Sequence, residues 1–418
     1  MDLRYPPAAE AFRREVRAIL QQDLPPGWRG YGALPAEQAR EFLDAWRRKL
    51  HERRLLGLTW PREFGGAGRT ALEQVVLVEE LARAGAPAGW PTDNFSIKML
   101  GNTLLRFGTD AQQRAFLPPI LSGAHRWCQG FSEPGAGSDL AGLSTRAELV
   151  NRGGGAGREW RINGQKIWTS NAKDANWIFL LARTDPHASK HRGISFLLCP
   201  LDQPGIDIRP ITMLTGQREF NEVFFTDART EAGNVVGEVN QGWQVATGLL
   251  AYERGEEAAT NPILFRHELD RLVAMATERD RAGDPVIRER LAWCYARVET
   301  MRFLGYRILS EFLKGQPPGT DSSVSKLYWS EYHRVVTELA VDVLGPDVLA
   351  PEGRAPLRTA RTDDPGARNS SASWLGAFYN ARAGTIYAGT SQIQRTIIAE
   401  RVLGLPKDPV PRPEIPLT

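Results

Sequence analysis

With 418 residues, 42% of them hydrophobic and 24% charged, the chain has apolar content for two or three folded domains with sizeable cores. A formal net charge of +3 lacks the basic excess of a nucleic-acid binder, and no apolar run is long enough to cross a bilayer. Cys128, Cys199 and Cys294 are odd in number and far apart, which excludes both a disulfide framework and metal-ligand spacing. Met1 to Leu20, studded with Arg and Glu, is not a secretory signal. These features predict a soluble protein of a reducing compartment, the cytoplasm, with no metal, membrane or nucleic-acid partner.

Helical periodicity marks Ala8 to Gln22, Ala36 to Gly57, Leu72 to Ala84 and Asp110 to Leu121, separated by Pro- and Gly-bearing breaks. Thr109 and Asp110 are natural caps for the fourth helix. From Arg126 to Asp227 the period becomes that of strands. Trp160 to Ile162 and Gln165 to Ile167 flank Asn163-Gly164, a strong hairpin signal. Further strands are expected at Trp177 to Arg183, Gly193 to Cys199, Ile206 to Ile211 and Glu222 to Phe225. Asn151 to Gly157 reads as an exposed loop; no helix follows it and the GxGxxG spacing is absent. Long helices return at Gln241 to Arg281, Pro285 to Lys314, Asp321 to Leu344 and Trp374 to Leu403, with a mobile loop expected over Ala350 to Ser373. Helices, then strands, then helices predict an α+β protein.

Four stretches carry chemistry. In Gly130-Phe131-Ser132-Glu133-Pro134-Gly135-Ala136-Gly137-Ser138-Asp139 the glycines allow close backbone approach and the serines supply hydroxyls. In Ile167-Trp168-Thr169-Ser170-Asn171 an aromatic plane stands beside hydroxyl donors. Leu249 to Glu257 sets three carboxylates beside Arg254, and Glu253 and Glu257 share a helix face, so periodicity does not choose between them. Finally, Thr385 to Pro406 reads as a tight bend at Ala388-Gly389-Thr390-Ser391 running into an amphipathic helix with Ile393, Ile397, Ile398 and Val402 at helical spacing.

Together with the turn Trp60-Pro61-Arg62-Glu63-Phe64-Gly65-Gly66, these stretches resemble the signatures of the acyl-CoA dehydrogenase family, over nearly the whole chain. The resemblance implies an N-terminal helical domain (1–125), a β-barrel-like middle domain (126–235) and a C-terminal four-helix bundle (236–418). It implies FAD as cofactor, with Phe131, Ser132, Gly137 and Ser138 on the loop between flavin and acyl-CoA. Ser132 would bond the flavin's pyrimidine side and Ser138 would lie near the CoA portion. Trp168 would cover the flavin face and Ser170 would bond its N5 edge. Thr390 and Gln392 match flavin contacts, Tyr387 and Gly389 border the acyl pocket, and Arg279 matches an Arg reaching the cofactor of a neighbouring subunit. Many members carry Tyr-Glu-Gly-Thr with a catalytic Glu where this chain has Tyr387-Ala388-Gly389-Thr390. In one branch, which includes isovaleryl- and long-chain acyl-CoA dehydrogenases, the base stands immediately before an Arg on an internal helix. Glu253-Arg254 matches that position, making Glu253 the expected base and Arg254 its partner near the substrate. The α-proton of a thioester is weakly acidic, so its removal needs a positioned base, best desolvated, and donors for the developing enolate. The backbone N–H of Ala388 survives the loss of the Glu side chain and is the expected oxyanion donor.

The implied reaction is desaturation of an acyl-CoA to its trans-2-enoyl product, the β-hydrogen passing to the flavin and the electrons to an electron-transfer flavoprotein. Two segments depart from the family pattern: Arg279-Asp280-Arg281-Ala282-Gly283 lacks the usual aromatic, and Asp342-Val343-Leu344-Gly345-Pro346 replaces a Gln-x-x-Gly-Gly loop. Both usually help bind the adenine half of FAD across subunits, so their change leaves open looser FAD binding or an assembly in which a second, different subunit completes some sites; a homotetramer and a heterotetramer with a sister subunit both stay open. Oxidase or monooxygenase chemistry on the same scaffold, and a supporting subunit without catalysis, are the alternative functions.

Overall fold

The computed structural model describes residues 5–152, 157–314, 321–354, 356 and 364–407, without the side chains of 250–259, 312–313 and 321–322. Helices α1 (Pro7–Asp23), α2 (Ala36–Glu52), α3 (Ala71–Ala84), α4 (Asn102–Phe107) and α5 (Asp110–Ser122) build the N-terminal layer. Capping boxes start α3 (Thr70 with Glu73) and α5 (Thr109 with Gln112), each satisfying two otherwise orphaned N–H groups. α1 is fastened to α3 by ion pairs of Arg13 with Glu79 at 3.0 Å and Glu80 at 2.5 Å, all three side chains buried.

One helical expectation needs correction, and one helical segment was not expected. α2 stops at Glu52, because Arg54 (φ 56°) and Gly57 (φ 57°) turn the chain left-handed. Residues Asn94–Phe107, for which no element was expected, are helical throughout: a π-helical run, Asn94–Gly101, leads into α4. Gly101 is there for Trp60, whose ring a Cβ would meet at 2.0 Å.

The eight strands are β1 (Trp127–Gly130), β2 (Arg146–Asn151), β3 (Arg158–Ser170), β4 (Trp177–Arg183), β5 (Ile194–Pro200), β6 (Ile206–Pro210), β7 (Phe220–Glu231) and β8 (Val235–Val236). They form one sheet in the order β6-β7-β3-β2-β4-β5-β8, with β1 parallel to β4. β4 is apolar on both faces. Phe179 and Leu181 join the N-terminal helical core, whereas Ile178, Leu180 and Ala182 point into a second core enclosed by the sheet. That second core draws on β2, β3, β4, β5 and β7, and Thr230 Oγ1 of β7 donates to Leu198 O of β5 at 2.6 Å, so the sheet wraps onto itself.

Asn163-Gly164 is not a hairpin. β3 runs straight through it, paired with β2 on one edge and β7 on the other, and the pair sits in a register shift opposite β7. Asp227 (φ 52°) donates its N–H to Asn163 Oδ1 at 2.8 Å across this bulge, and Gly164 takes φ 148° where a Cβ would strike Thr145. Two-sided pairing outweighs the local turn signal. Within the exposed loop expected over Asn151 to Gly157, residues 153–156 lie outside the described ones.

The C-terminal helices are α6 (Gly242–Glu278), α7 (Pro285–Leu313), α8 (Asp321–Leu344), α9 (Ser371–Gly384) and α10 (Ser391–Ile397), the last continued by a π-helical turn, Ile398–Val402. α6 through α9 pack as a bundle around Phe265, Leu272, Met275, Val298, Val336, Leu339 and Trp374. α6 is about 55 Å long at 1.5 Å per residue. Its start (Val245, Ala246, Leu249) belongs to the N-terminal core and its end (Phe265 onward) to the bundle core. The single helix expected over Trp374 to Leu403 is two, broken at 385–390. The loop after α8 is tied down where described: Arg354 donates to Leu34 O at 2.9 Å and Gly32 O at 2.8 Å. Residues 355 and 357–363 of it lie outside the described ones.

Candidate active site

The Gly-rich loop follows β1 and is pinned from inside. Glu133, buried, accepts from Lys166 Nζ at 2.7 Å, Thr145 N at 2.9 Å, Ser144 N at 2.6 Å and Ser144 Oγ at 2.8 Å. Lys166, 0% exposed on β3, also donates to Phe131 O at 3.2 Å. Burial would raise the Glu133 carboxyl, but Lys166 and the donors around it outweigh that and hold it at about 2. Burial lowers the Lys166 ammonium to about 8, against the pull of Glu133. Neither residue stood out as functional in the sequence, yet one signal was there. Lys166 falls on a strand just before Ile167 and Trp168, and a buried ammonium needs a partner.

Loop and strand meet directly, because Ile167 N donates to Ser132 O at 2.9 Å. Just beyond, the β3–β7 register slips between Lys166 and Thr169. Trp168 occupies this bulge in the left-handed region (φ 62°), a conformation costing about 1–3 kcal/mol for a bulky residue. The bulge turns its indole outward, 57% exposed and edge-on to Phe220 at 6.1 Å. Ser132 and Ser170 are half-buried, and among the described residues neither hydroxyl has a hydrogen-bond partner. Phe131 is buried against Phe179 and Phe196. Gly137 and Ser138 are exposed, and a Cβ at Gly137 would meet nothing within 4 Å. An uncovered indole beside free hydroxyls and an open loop fits a flat, hydrogen-bonding heteroaromatic cofactor such as a flavin.

The second group lies on the bend between α9 and α10. Ala388 has φ 52°, unusual for a residue with a Cβ. Its O accepts from Gln394 Nε2 at 3.1 Å, while among the described residues its N–H meets no acceptor. Gly389 O accepts from Lys326 Nζ at 2.6 Å. Thr390 is the N-cap of α10, its hydroxyl accepting from Ile393 N at 3.1 Å with the O–H left to donate. Gln392 is exposed, and Tyr387 packs near Trp329 at 6.4 Å. Among the described residues, no hydrogen bond, ion pair or ring contact joins this group to the Trp168 group.

Glu253 and Arg254 stand on α6, in the stretch between the helix's two cores, and their side chains lie outside the described residues. Arg279, at the end of α6, turns to its own chain: it donates to Asp347 Oδ2 at 2.6 Å and Leu344 O at 3.4 Å. Arg290 pairs with Asp342 beside it. The two segments that depart from the family pattern therefore meet each other.

Three family models match in sequence: the N-terminal (6–124), middle (128–228) and C-terminal (240–403) domains of acyl-CoA dehydrogenase. The chain belongs to the acyl-CoA dehydrogenase family. The acyl-CoA dehydrogenase IpdE1 of Mycolicibacterium smegmatis is 44% identical over 407 residues, covering 96% of this chain and 98% of that one. IpdE1 of Mycobacterium tuberculosis is 44% identical over 404 residues, with 96% and 98% covered. Among solved structures, the steroid acyl-CoA dehydrogenase (ACAD) Tcur3481-Tcur3483 is 33% identical with TM-score 0.78, over 98% of this chain and all of that one. The ChsE4-ChsE5 complex of M. tuberculosis is 30% identical with TM-score 0.75 and the same coverage, 98% and 100%. The chain is thus an oxidoreductase that dehydrogenates acyl-CoA thioesters, and acyl-CoA dehydrogenases are flavoproteins. No helix among the described residues is long and apolar enough to cross a membrane.

Proposed function

We propose that this chain desaturates the α,β-bond of a bulky, steroid-derived acyl-CoA, with FAD as cofactor and Glu253 as base, in an assembly with a sister subunit. The observation that carries the reading is Ala388. The bend keeps its left-handed backbone and an N–H without a described acceptor, but its methyl cannot take a proton. The carboxylate must then come from another element, and Glu253 on α6 precedes Arg254 as in the branch with an internal base.

In this reading Ser132, Ser170, Thr390 and Gln392 hold the flavin's polar edges, Trp168 covers its face, and Phe131, Gly137 and Ser138 shape the loop over it. Bound flavin supplies the acceptor for the hydrogen and electron pair lost from Cβ. Glu253 Oε takes the proton from Cα, and the electron pair of that C–H bond becomes the new double bond. As charge develops on the thioester oxygen, Ala388 N–H donates to it, a donor fixed in advance and worth roughly 2.7–4 kcal/mol in comparable sites. Arg254 favours the ionised carboxylate before transfer, Tyr387 and Gly389 border the acyl group, and Ser138 meets the CoA.

Two supports favour a partnered assembly. The steroid ACAD Tcur3481-Tcur3483 and the ChsE4-ChsE5 complex are both named for two chains and resemble this one over nearly its full length. Arg279, expected to reach a neighbour's cofactor, is engaged by Asp347 of its own chain. Electrons would pass on to an electron-transfer flavoprotein, and three free, buried cysteines fit the reducing cytoplasm. The test is anaerobic titration of the purified flavoprotein with straight-chain, branched and steroid-side-chain acyl-CoAs. Bleaching at 450 nm by the steroid thioester supports the proposal; bleaching only by short straight chains removes the substrate assignment. A chain that is colourless and inert even with its sister subunit removes the catalytic one.

A further inference from the structure

Lys326 lies on α8 among Ser323, Ser330, His333 and Thr337, which share its buried face. A lysine on a core-facing stripe is costly unless its ammonium is used. Here Nζ donates to Gly389 O at 2.6 Å and to Gly384 O at 3.0 Å. Those carbonyls flank the four residues of the bend, Thr385 to Ala388, so one cation closes the loop at both ends. Ala388 O is drawn the same way by Gln394 Nε2, itself completely buried, and Ser391 N closes on Thr385 O at 2.9 Å. With the carbonyls of Ala388 and Gly389 held by donors of the protein, the chain stays at the left-handed angle that an alanine disfavours.

We propose that Lys326 is a positioning residue for the reaction: by clamping Gly384 O and Gly389 O it holds the bend so that Ala388 N–H is presented to the thioester oxygen. The inference rests on Ala388 being that donor. An ammonium suits the task because it offers three donors at one point, and charge-assisted hydrogen bonds resist thermal opening better than neutral ones. In this proposal Lys326 acts through the backbone it holds.

The test uses the flavin-loaded protein and a 3-thia analogue, 13C-labelled at C1, of the acyl-CoA that bleaches it best. Infrared difference spectra read the thioester carbonyl stretch on binding, alongside kcat and KM for the substrate itself. In wild-type protein the stretch shifts down. In Lys326→Met the downshift falls by half or more, and kcat drops at least tenfold while KM changes less than threefold and flavin is retained. Lys326→Gln, which keeps one donor and the polarity of the site, gives intermediate values and covers the case in which the methionine variant does not fold. A wild-type downshift that persists unchanged in the folded variant, with kcat unchanged, overturns the inference alone. Absence of any downshift in the wild type overturns the role of Ala388 and the inference with it.

Discussion

Glu133→Gln probes the device that sets the Gly-rich loop. The carboxylate accepts four hydrogen bonds, two at each oxygen: Lys166 and Thr145 N on Oε1, Ser144 N and Oγ on Oε2. A glutamine has one acceptor. If its oxygen faces Lys166, its amino group meets the Ser144 N–H, a backbone donor that cannot turn away. In the reverse orientation it meets an ammonium that is 0% exposed. An unsatisfied buried N–H costs about 1–3 kcal/mol, and breaking a buried ion pair about 3–5 kcal/mol. These overlap, so a loss of about 3–5 kcal/mol is expected from urea unfolding at pH 7, with lower flavin absorbance per chain because Ser132 moves with the loop. Lys166→Met in the same chain removes the stranded charge and recovers at least ~1.5 kcal/mol, a coupling typical of residues in one buried network. A single variant within ~1 kcal/mol of wild type, or a double variant whose loss equals the sum of the two singles, would refute the account of the pair.

The same carboxyl fixes an acid limb. Its folded value of about 2 lies below its ordinary 4.5, so the stabilisation is fully present above 4.5 and is lost as pH falls toward 2, by roughly 3 kcal/mol in total; Glu133→Gln should flatten that part of a stability-versus-pH curve. Trp168→Ala should weaken FAD binding by about fivefold or more, from ~1 kcal/mol of lost stacking, while stability stays within ~1 kcal/mol because the indole is exposed. Titration of apoprotein with FAD measures this, and an unchanged affinity removes Trp168 from the flavin site. Gly101→Ala places a methyl 2.0 Å from the Trp60 ring and should cost roughly 1–3 kcal/mol in thermal unfolding; an unchanged Tm would mean that Trp60 has room to move.

What the sequence disclosed followed the range of its signals. β4 and α8 were read to the residue, because an apolar run bounded by turns and a long periodic stretch are local patterns. Asn163-Gly164 misled because a bulge between two partner strands asks for the same residues as a hairpin turn. Asn94 to Phe107 was missed because Gly101 reads as a breaker when its reason, the Trp60 ring, lies 41 residues away in the chain. At the site, Ser132 and Trp168 were expected from motif alone; in the structure Ile167 joins their segments, and the bulge exposes the indole. Glu133, Lys166, Lys326 and Gln394 escaped because each acts on backbone or charge brought near only by folding. The pairs Glu133–Lys166 and Lys326–Gly389 span 33 and 63 positions.

The division of labour between Ala388 and Glu253 is the centre of the account, and single-turnover mixing of Glu253→Gln with an acyl-CoA tests it most directly. The variant is isosteric and should keep its flavin. Under anaerobic stopped flow the wild-type flavin bleaches at 450 nm, and the variant should bleach at least a hundredfold more slowly, since a general base contributes about 10²–10⁴-fold. A flavin-loaded Glu253→Gln protein that bleaches at the wild-type rate would show that the proton leaves to another residue.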